Sequence, residues 1–304
     1  MTDPAPIWRV PPVGNARMPR SFFSHLFARK RRKTTPPPLV LPETMLAIYE
    51  RARRGHHLDQ VLWGKALLKS TFLPPDHEQA IIWFTMASNA GYGPASNMLG
   101  RCHHFGWGVP KSFEQAAIHY ARAAEQNDEW GRYNLGILTL RGLGMPQNLP
   151  RAFSLFARAA ENGHAKSMNI LARFYEEGWT VPPDPERARA LYRASAEGGD
   201  YRGCHNHATV LTQQDAWQEA LHWWTQAQPH ATSDILLAME RSLSALIALP
   251  PRSTMPPEHA AHPSPEEQET ARALLEKVRA RIALVVPEPP ASSPPDLSPA
   301  GKAD

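Results

Sequence analysis

The sequence predicts an all-α, right-handed superhelical solenoid of stacked helix-turn-helix repeats, with disordered Pro-rich flanks. Three observations predict it. A phrase recurs three times at a spacing of 36 residues, over Gln79–Glu114, Gln115–Pro150 and Arg151–Glu186. A period of this size belongs to stacked units that bury a face only against their neighbours. Within each unit, small and aromatic residues recur at spacings of four and three, the period of a helix face. Most of the 31 prolines crowd residues 1–42 and 249–304, which frames one ordered array between two loose segments.

Residues 43–78 form a degenerate opening unit that keeps phase through Gly55, Trp63-Gly64 and Pro74. The full units 79–114, 115–150 and 151–186 follow. Each opens a first helix with alanine (Ala80, Ala116, Ala152, continued by Ala188 and Ala220). An aromatic comes four residues on (Phe84, Tyr120, Phe156, Tyr192, Trp224), then a small residue three further (Ala87, Ala123, Ala159, Ser195, Ala227). Gly91, Asn127, Gly163 and Gly199 suit the left-handed conformation that ends a helix. A second helix carries Leu99-Gly100, Leu135-Gly136 and Leu171-Ala172, where the small residue signals close packing that offsets its low helix propensity.

Between units, prolines at 74, 110, 146 and 182 block helix continuation. Asp76, Ser112, Asn148 and Asp184 stand two residues later as N-caps, and Asp76-x-x-Gln79 and Ser112-x-x-Gln115 have the form of capping boxes. Unit 187–218 is four residues short, and 219–248 ends in an apolar run suited to a terminal cap. A Pro-rich linker, 249–264, leads to a helix over 265–286. There Ala271, Leu274, Leu275, Val278 and Ile282 share one face, which packs back on the array or pairs with another copy. Residues 287–304 read as a disordered tail.

Charge divides the chain. Residues 1–40 hold eight basic side chains against one acidic, a net +7, and the remainder holds 25 against 28, a net −3. The overall +4 therefore describes the arm, and a wholly basic, nucleic-acid-binding protein is excluded. Cys102 and Cys204, the two cysteines, fall nearly three units apart, about 25 Å by helix packing and beyond disulfide reach. Reduced thiols, the lack of an apolar signal core and the lack of a spanning apolar run predict a cytoplasmic protein. Peripheral membrane association through the arm stays open.

The pattern Ala-x-x-aromatic-aromatic-x-x-Ala-Ala-x-x-Gly, then Leu-Gly, then Gly-x-Gly-Val resembles the Sel-one-like repeat family, a branch of the tetratricopeptide-like solenoids. Ala116–Asn127, Ala152–Gly163 and Leu99–Val109 carry the resemblance, which spans about residues 43–232. It implies a non-catalytic scaffold or adaptor in signalling or complex assembly, with first helices lining a concave groove. Some relatives are cysteine-rich secreted proteins with regular cysteine pairs; two unpaired cysteines argue against that branch.

Chemistry-bearing motifs are few. Cys102-His103-His104 and Cys204-His205-Asn206-His207 lie in non-adjacent units, whereas zinc needs about four converging ligands. No nucleophile motif, phosphate loop or paired acids appear, so neither enzyme nor cofactor is predicted. Elimination places a partner-binding stripe on the first helices, opposite the Ala/aromatic face: Ile82, Met86, Asn89, Ile118, Arg122, Glu125, Arg158 and Glu161. Its apolar end and charged middle suit a protein or peptide with an apolar anchor. In the arm, Phe22, Phe23, Leu26 and Phe27 precede Arg29, Lys30, Arg31, Arg32 and Lys33. A short amphipathic helix over 21–33 could lie on anionic membrane, contact nucleic acid or dock on a partner.

Overall fold

The computed structural model describes residues 41–69, 73–250 and 262–285. Among these, thirteen helices and no strand are found. They run α1 (Glu43–Arg53), α2 (His57–Leu68), α3 (His77–Asn89), α4 (Gly93–Phe105), α5 (Phe113–Glu125), α6 (Glu129–Arg141) and α7 (Leu149–Glu161). Then come α8 (Ala165–Glu177), α9 (Pro185–Glu197), α10 (Tyr201–Thr212), α11 (Trp217–Ala227), α12 (Ser233–Ala248) and α13 (Pro265–Val285). From α1 to α11 every helix packs on the next, α12 packs on α13, and even-numbered helices also meet at α2–α4, α4–α6, α8–α10 and α10–α12: an all-α solenoid.

Local signals set each boundary. The side chains of Asp76, Ser112, Asn148 and Asp184 accept from the backbone N–H of Gln79, Gln115, Arg151 and Arg187, at 2.9, 3.1, 2.9 and 3.0 Å. These bonds satisfy donors that the first turn leaves orphaned. The return bond of a capping box is absent at Asp76 and Ser112 among the described residues. It forms at the start of α13, where Ser264 and Glu267 bond reciprocally at 2.6 and 3.2 Å. Gly91, Asn127, Gly163 and Gly199 take φ between 58° and 86°, so one tight turn recurs whichever residue fills it.

The stack closes through small-against-aromatic contacts. A Cβ added at Gly64, Gly100 or Gly136 would fall 2.5, 2.4 or 2.7 Å from the ring of Phe84, Tyr120 or Phe156, each fully buried. The Leu-Gly motif thus exists to seat the aromatic of the next odd-numbered helix. Buried Ala152, Phe156, Leu171, Ala172, Phe174, Ala188 and Tyr192 form one continuous cluster across units. Beyond Thr212 the rhythm changes. Asp215 turns the chain at φ 58°, and α11 and α12 join α13 in an apolar cluster of Trp217, Trp224, Leu236, Met239, Leu243, Leu274, Leu275 and Val278. The face of α13 carrying Ala271, Leu274, Leu275 and Val278 is buried there.

Candidate functional site

The repeated Leu-Gly motif positions a second, polar set of side chains on the even-numbered helices. One or two residues before it, or before Leu171-Ala172 and His207-Ala208 in the same position, stand Asn97 (α4), Asn134 (α6), Asn169 (α8) and Asn206 (α10). Asn134 donates to Asn97 Oδ1 at 2.9 Å, and Asn206 donates to Asn169 Oδ1 at 2.8 Å. The amide sits two residues before the motif in α4 and α8 but one before it in α6. That alternation joins α4 to α6 and α8 to α10 and leaves no such bond between α6 and α8. The even-numbered helices come close within both joined pairs and less close across the α6–α8 gap.

At that gap lies a recess of about 650 Å³. Tyr133, Asn134, Ile137 and Arg141 of α6 form one wall, with Lys166, Asn169, Ile170 and Arg173 of α8 facing them. Asp200, Tyr201, Arg202 and Asn206 of α10 continue the lining, with Tyr192, Asp234 and Ile235 at its edge. The apolar part is half-buried isoleucine and tyrosine; the remainder is polar.

The charges fall into two groups. At the α10 end they are neutralised internally. The buried Asp200 carboxylate caps α10 by accepting from Gly203 N–H at 3.1 Å and takes a Lys166 Nζ bond at 2.9 Å. Arg202 donates to Asp234 at 3.2 Å. Thr232 first, and Arg202 after it, hold the Asp234 carboxyl below the usual range. Tyr192 donates to Glu176 at 2.5 Å; burial and that bond push its pKa up, so the phenol stays a donor at neutral pH. At the α6 end, Arg141 and Arg173 have no carboxylate partner among the described residues. The Arg173 guanidinium instead lies 5.0 Å over the Trp179 ring, as that of Arg101 lies 5.2 Å over Trp107 two units earlier.

None of the stripe residues named from the sequence lines this recess. Ile82, Met86 and Ile118 are exposed side chains of α3 and α5, and Asn89 and Glu125 are also exposed. Arg122 has internal work: it donates to Ser88 O at 3.1 Å and Asn89 Oδ1 at 3.4 Å, tying α5 to α3. Arg158 and Glu161 pair with each other at 3.7 Å, one turn apart on α7. The arm residues Phe22, Phe23, Leu26, Phe27, Arg29, Lys30, Arg31, Arg32 and Lys33 lie outside the described residues. The recess had a sequence signal, the asparagine that recurs one or two residues before the Leu-Gly position of each unit, that elimination on the other helix set passed over.

The Cys/His clusters separate in space. Cys102 and Cys204 are free and buried, and burial pushes both thiols up to about 11, so neither is a thiolate at neutral pH. Among the described residues no three His, Cys, Asp or Glu side chains are placed to hold a metal ion. His205 accepts from the Trp224 indole N–H at 3.1 Å, and burial lowers its pKa to about 4. No described helix is long and apolar enough to cross a membrane.

Fold and site together define an α-solenoid of paired helices with a polar recess on one helix set. Four Sel1 repeats make up the centre of the array: the Sel1 repeat family model matches residues 59–92, 93–128, 131–164 and 165–200. The fold is that of a Sel1 repeat protein from Oxalobacter formigenes, at 21% identity and TM-score 0.61, covering 77% of this chain and 98% of that one. Lower similarity is found to an immunity protein, PA5088, from Pseudomonas aeruginosa (16% identity, TM-score 0.46, 80% of this chain and 85% of that one). A putative Sel1 repeat protein from Klebsiella pneumoniae gives 18% identity and TM-score 0.44 over 64% of this chain and 97% of that one. No curated protein matches in sequence. Sel1 repeat arrays generally act as protein-interaction scaffolds.

The matched repeats open at α2, α4, α6 and α8, one helix later than the units read from the sequence. A period has no phase, so spacing alone could not choose the starting helix. Packing favours the later start at α2, α4 and α8, which each pack more extensively on the helix after them than on the one before, while α6 packs about equally on both. In this phase the helices lining the recess are the first of each pair.

Proposed function

We propose that this chain is a non-catalytic scaffold that docks an extended segment of a partner protein in the recess on α6, α8 and α10. The observation that carries the reading is the pair of unfilled amides at the gap. Asn134 spends its N–H on Asn97, leaving Oδ1 as an acceptor. Asn169 spends its Oδ1 on Asn206, leaving Nδ2 as a donor. One acceptor and one donor on facing walls complement the N–H and C=O of a peptide backbone. The half-buried Ile137, Ile170 and Tyr133 supply apolar contact beneath it. Nothing in the lining of the recess resembles a nucleophile beside a base, and neither cysteine belongs to that lining.

A random-sequence peptide library panned on the full chain tests this. Recovered peptides should lose about tenfold in affinity on Ile170→Trp or Ile235→Trp, each checked for unchanged melting, and keep it on Arg158→Glu. Peptides that ignore both tryptophans, or none recovered at all, would remove the recess as the docking site. Peptides lost on Arg158→Glu would instead favour the stripe of α3, α5 and α7.

A further inference from the structure

The recess is selective about charge as well as backbone. Arginines elsewhere on the array mostly find carboxylates: Arg51, Arg132, Arg158, Arg193, Arg202 and Arg279 all form ion pairs. Arg101, Arg141 and Arg173, on three successive even-numbered helices, form none among the described residues. The burial that lowers the His104 pKa is followed in effect by Lys111, Arg101 and Arg141, three cations with no acid among them. Cations without an ion pair therefore lead along α4 and α6 into the recess, while the described residues as a whole carry 23 basic side chains against 24 acidic, a net −1. Unpaired positive charge at a binding surface steers and orients an oppositely charged ligand.

From this, and resting on the docking function above, we propose that the recess takes an extended acidic peptide, whose carboxylates meet Arg141 and Arg173 while its backbone meets Asn134 and Asn169. Helices in contact lie about 10 Å apart, α6 and α8 stand at least that far apart across the gap, and an extended chain rises about 3.3 Å per residue. Carboxylates about three residues apart would therefore reach both guanidinium groups. Planar guanidinium groups give such contacts bidentate geometry, and Trp179 beneath Arg173 holds its plane in place. Glu176, Asp200 and Asp234 line the same recess. They would repel the unbroken charge of a nucleic-acid backbone but leave room for a peptide whose acids are spaced.

The experiment is fluorescence anisotropy on the full chain, with labelled peptides of about twelve residues carrying Glu, Gln or Lys at every third position. A single-stranded oligonucleotide of similar length is run beside them. The Glu peptide should bind about tenfold tighter than the Gln peptide and weaken with salt. It should lose that advantage in the Arg141→Glu/Arg173→Glu variant, and also in Arg141→Gln/Arg173→Gln, each checked for parent-like melting because Arg173 packs on Trp179. Arg158→Glu, on the opposite helix set, should change nothing. Equal binding of Glu and Gln peptides, an unaffected double variant, or preference for the oligonucleotide would overturn the acidic assignment. Library peptides that Ile170→Trp excludes but that show no acidic excess would overturn it too, and would leave the docking function standing.

Discussion

The central units and the C-terminal end hold together by different means. From α3 to α9 each junction repeats the same parts: a capping side chain, a left-handed turn, and a small residue under an aromatic ring. The polar amide bonds recur at alternate junctions. Contacts there reach one unit up or down the chain. From α11 onward the repeated set is lost, and α11 and α12 are closed by a helix that arrives after a linker and contributes Leu274, Leu275 and Val278 to their core. Periodic local contacts let an array extend, and a non-periodic apolar contact is what lets it stop, since an unrepeated helix presents no surface for another unit.

A charge in the closing contact should have the largest effect. Val278→Asp puts a carboxylate into a fully buried site with no partner, at a cost of more than about 3 kcal/mol. Hydrogen exchange should accelerate in α11 to α13 and stay slow in α4 to α9. Equal acceleration in both would show that the two regions unfold as one unit.

Acid should attack the same end by another route. His205 is neutral when folded, with its pKa lowered by burial to about 4 from 6.5, and it accepts the Trp224 indole bond. The unfolded chain takes a proton that the folded chain refuses. Stability is therefore complete above about pH 6.5, falls as pH drops toward about 4, and is not reduced further by this group below that. A shift of this size corresponds to about 3 kcal/mol. Burial lowers His104, His119, His164 and His207 in the same direction, so the trend belongs to the whole array and His205 is its largest part. Urea melts across the window should show a shallower pH slope in His205→Gln, whose amide oxygen can still accept from Trp224. An unchanged slope would assign the acid sensitivity to the other histidines.

The smallest effect should come from the central units. Asn148→Ala removes one cap bond to Arg151 N–H and should cost about 1 kcal/mol. Asp184→Ala at the next junction should cost the same, because the parts are equivalent. Unequal costs would mean that the units, alike in sequence, differ in how much their neighbours support them.

Much of the fold was legible because its signals are local. A cap, a left-handed turn and a proline act within a few residues, and a helix face repeats within two turns. Asp76, Ser112, Asn148 and Asp184 could be named as caps before any packing was known. The amphipathic face of α13 was legible too, though not what it would pack on. The site was less legible. Ile82, Met86 and Ile118 were singled out because they escape the repeat pattern, and they are exposed. The same reasoning took Arg122 for a free contact residue, although it braces Ser88 and Asn89. Sequence shows that a side chain is unconstrained by the repeat but not that it is unoccupied.

By itself the sequence determined the helix pair, its 36-residue period, its boundaries and the family resemblance, since each depends on residues close together in the chain. Tertiary structure alone decided the phase of the pairing, the side that carries the recess, and which arginines lack a partner. Those depend on distances between helices more than 30 residues apart. Asparagine bonds join α4 to α6 and α8 to α10 but not α6 to α8 among the described residues. That difference is invisible as a motif, and the recess is seen only when the helices are stacked.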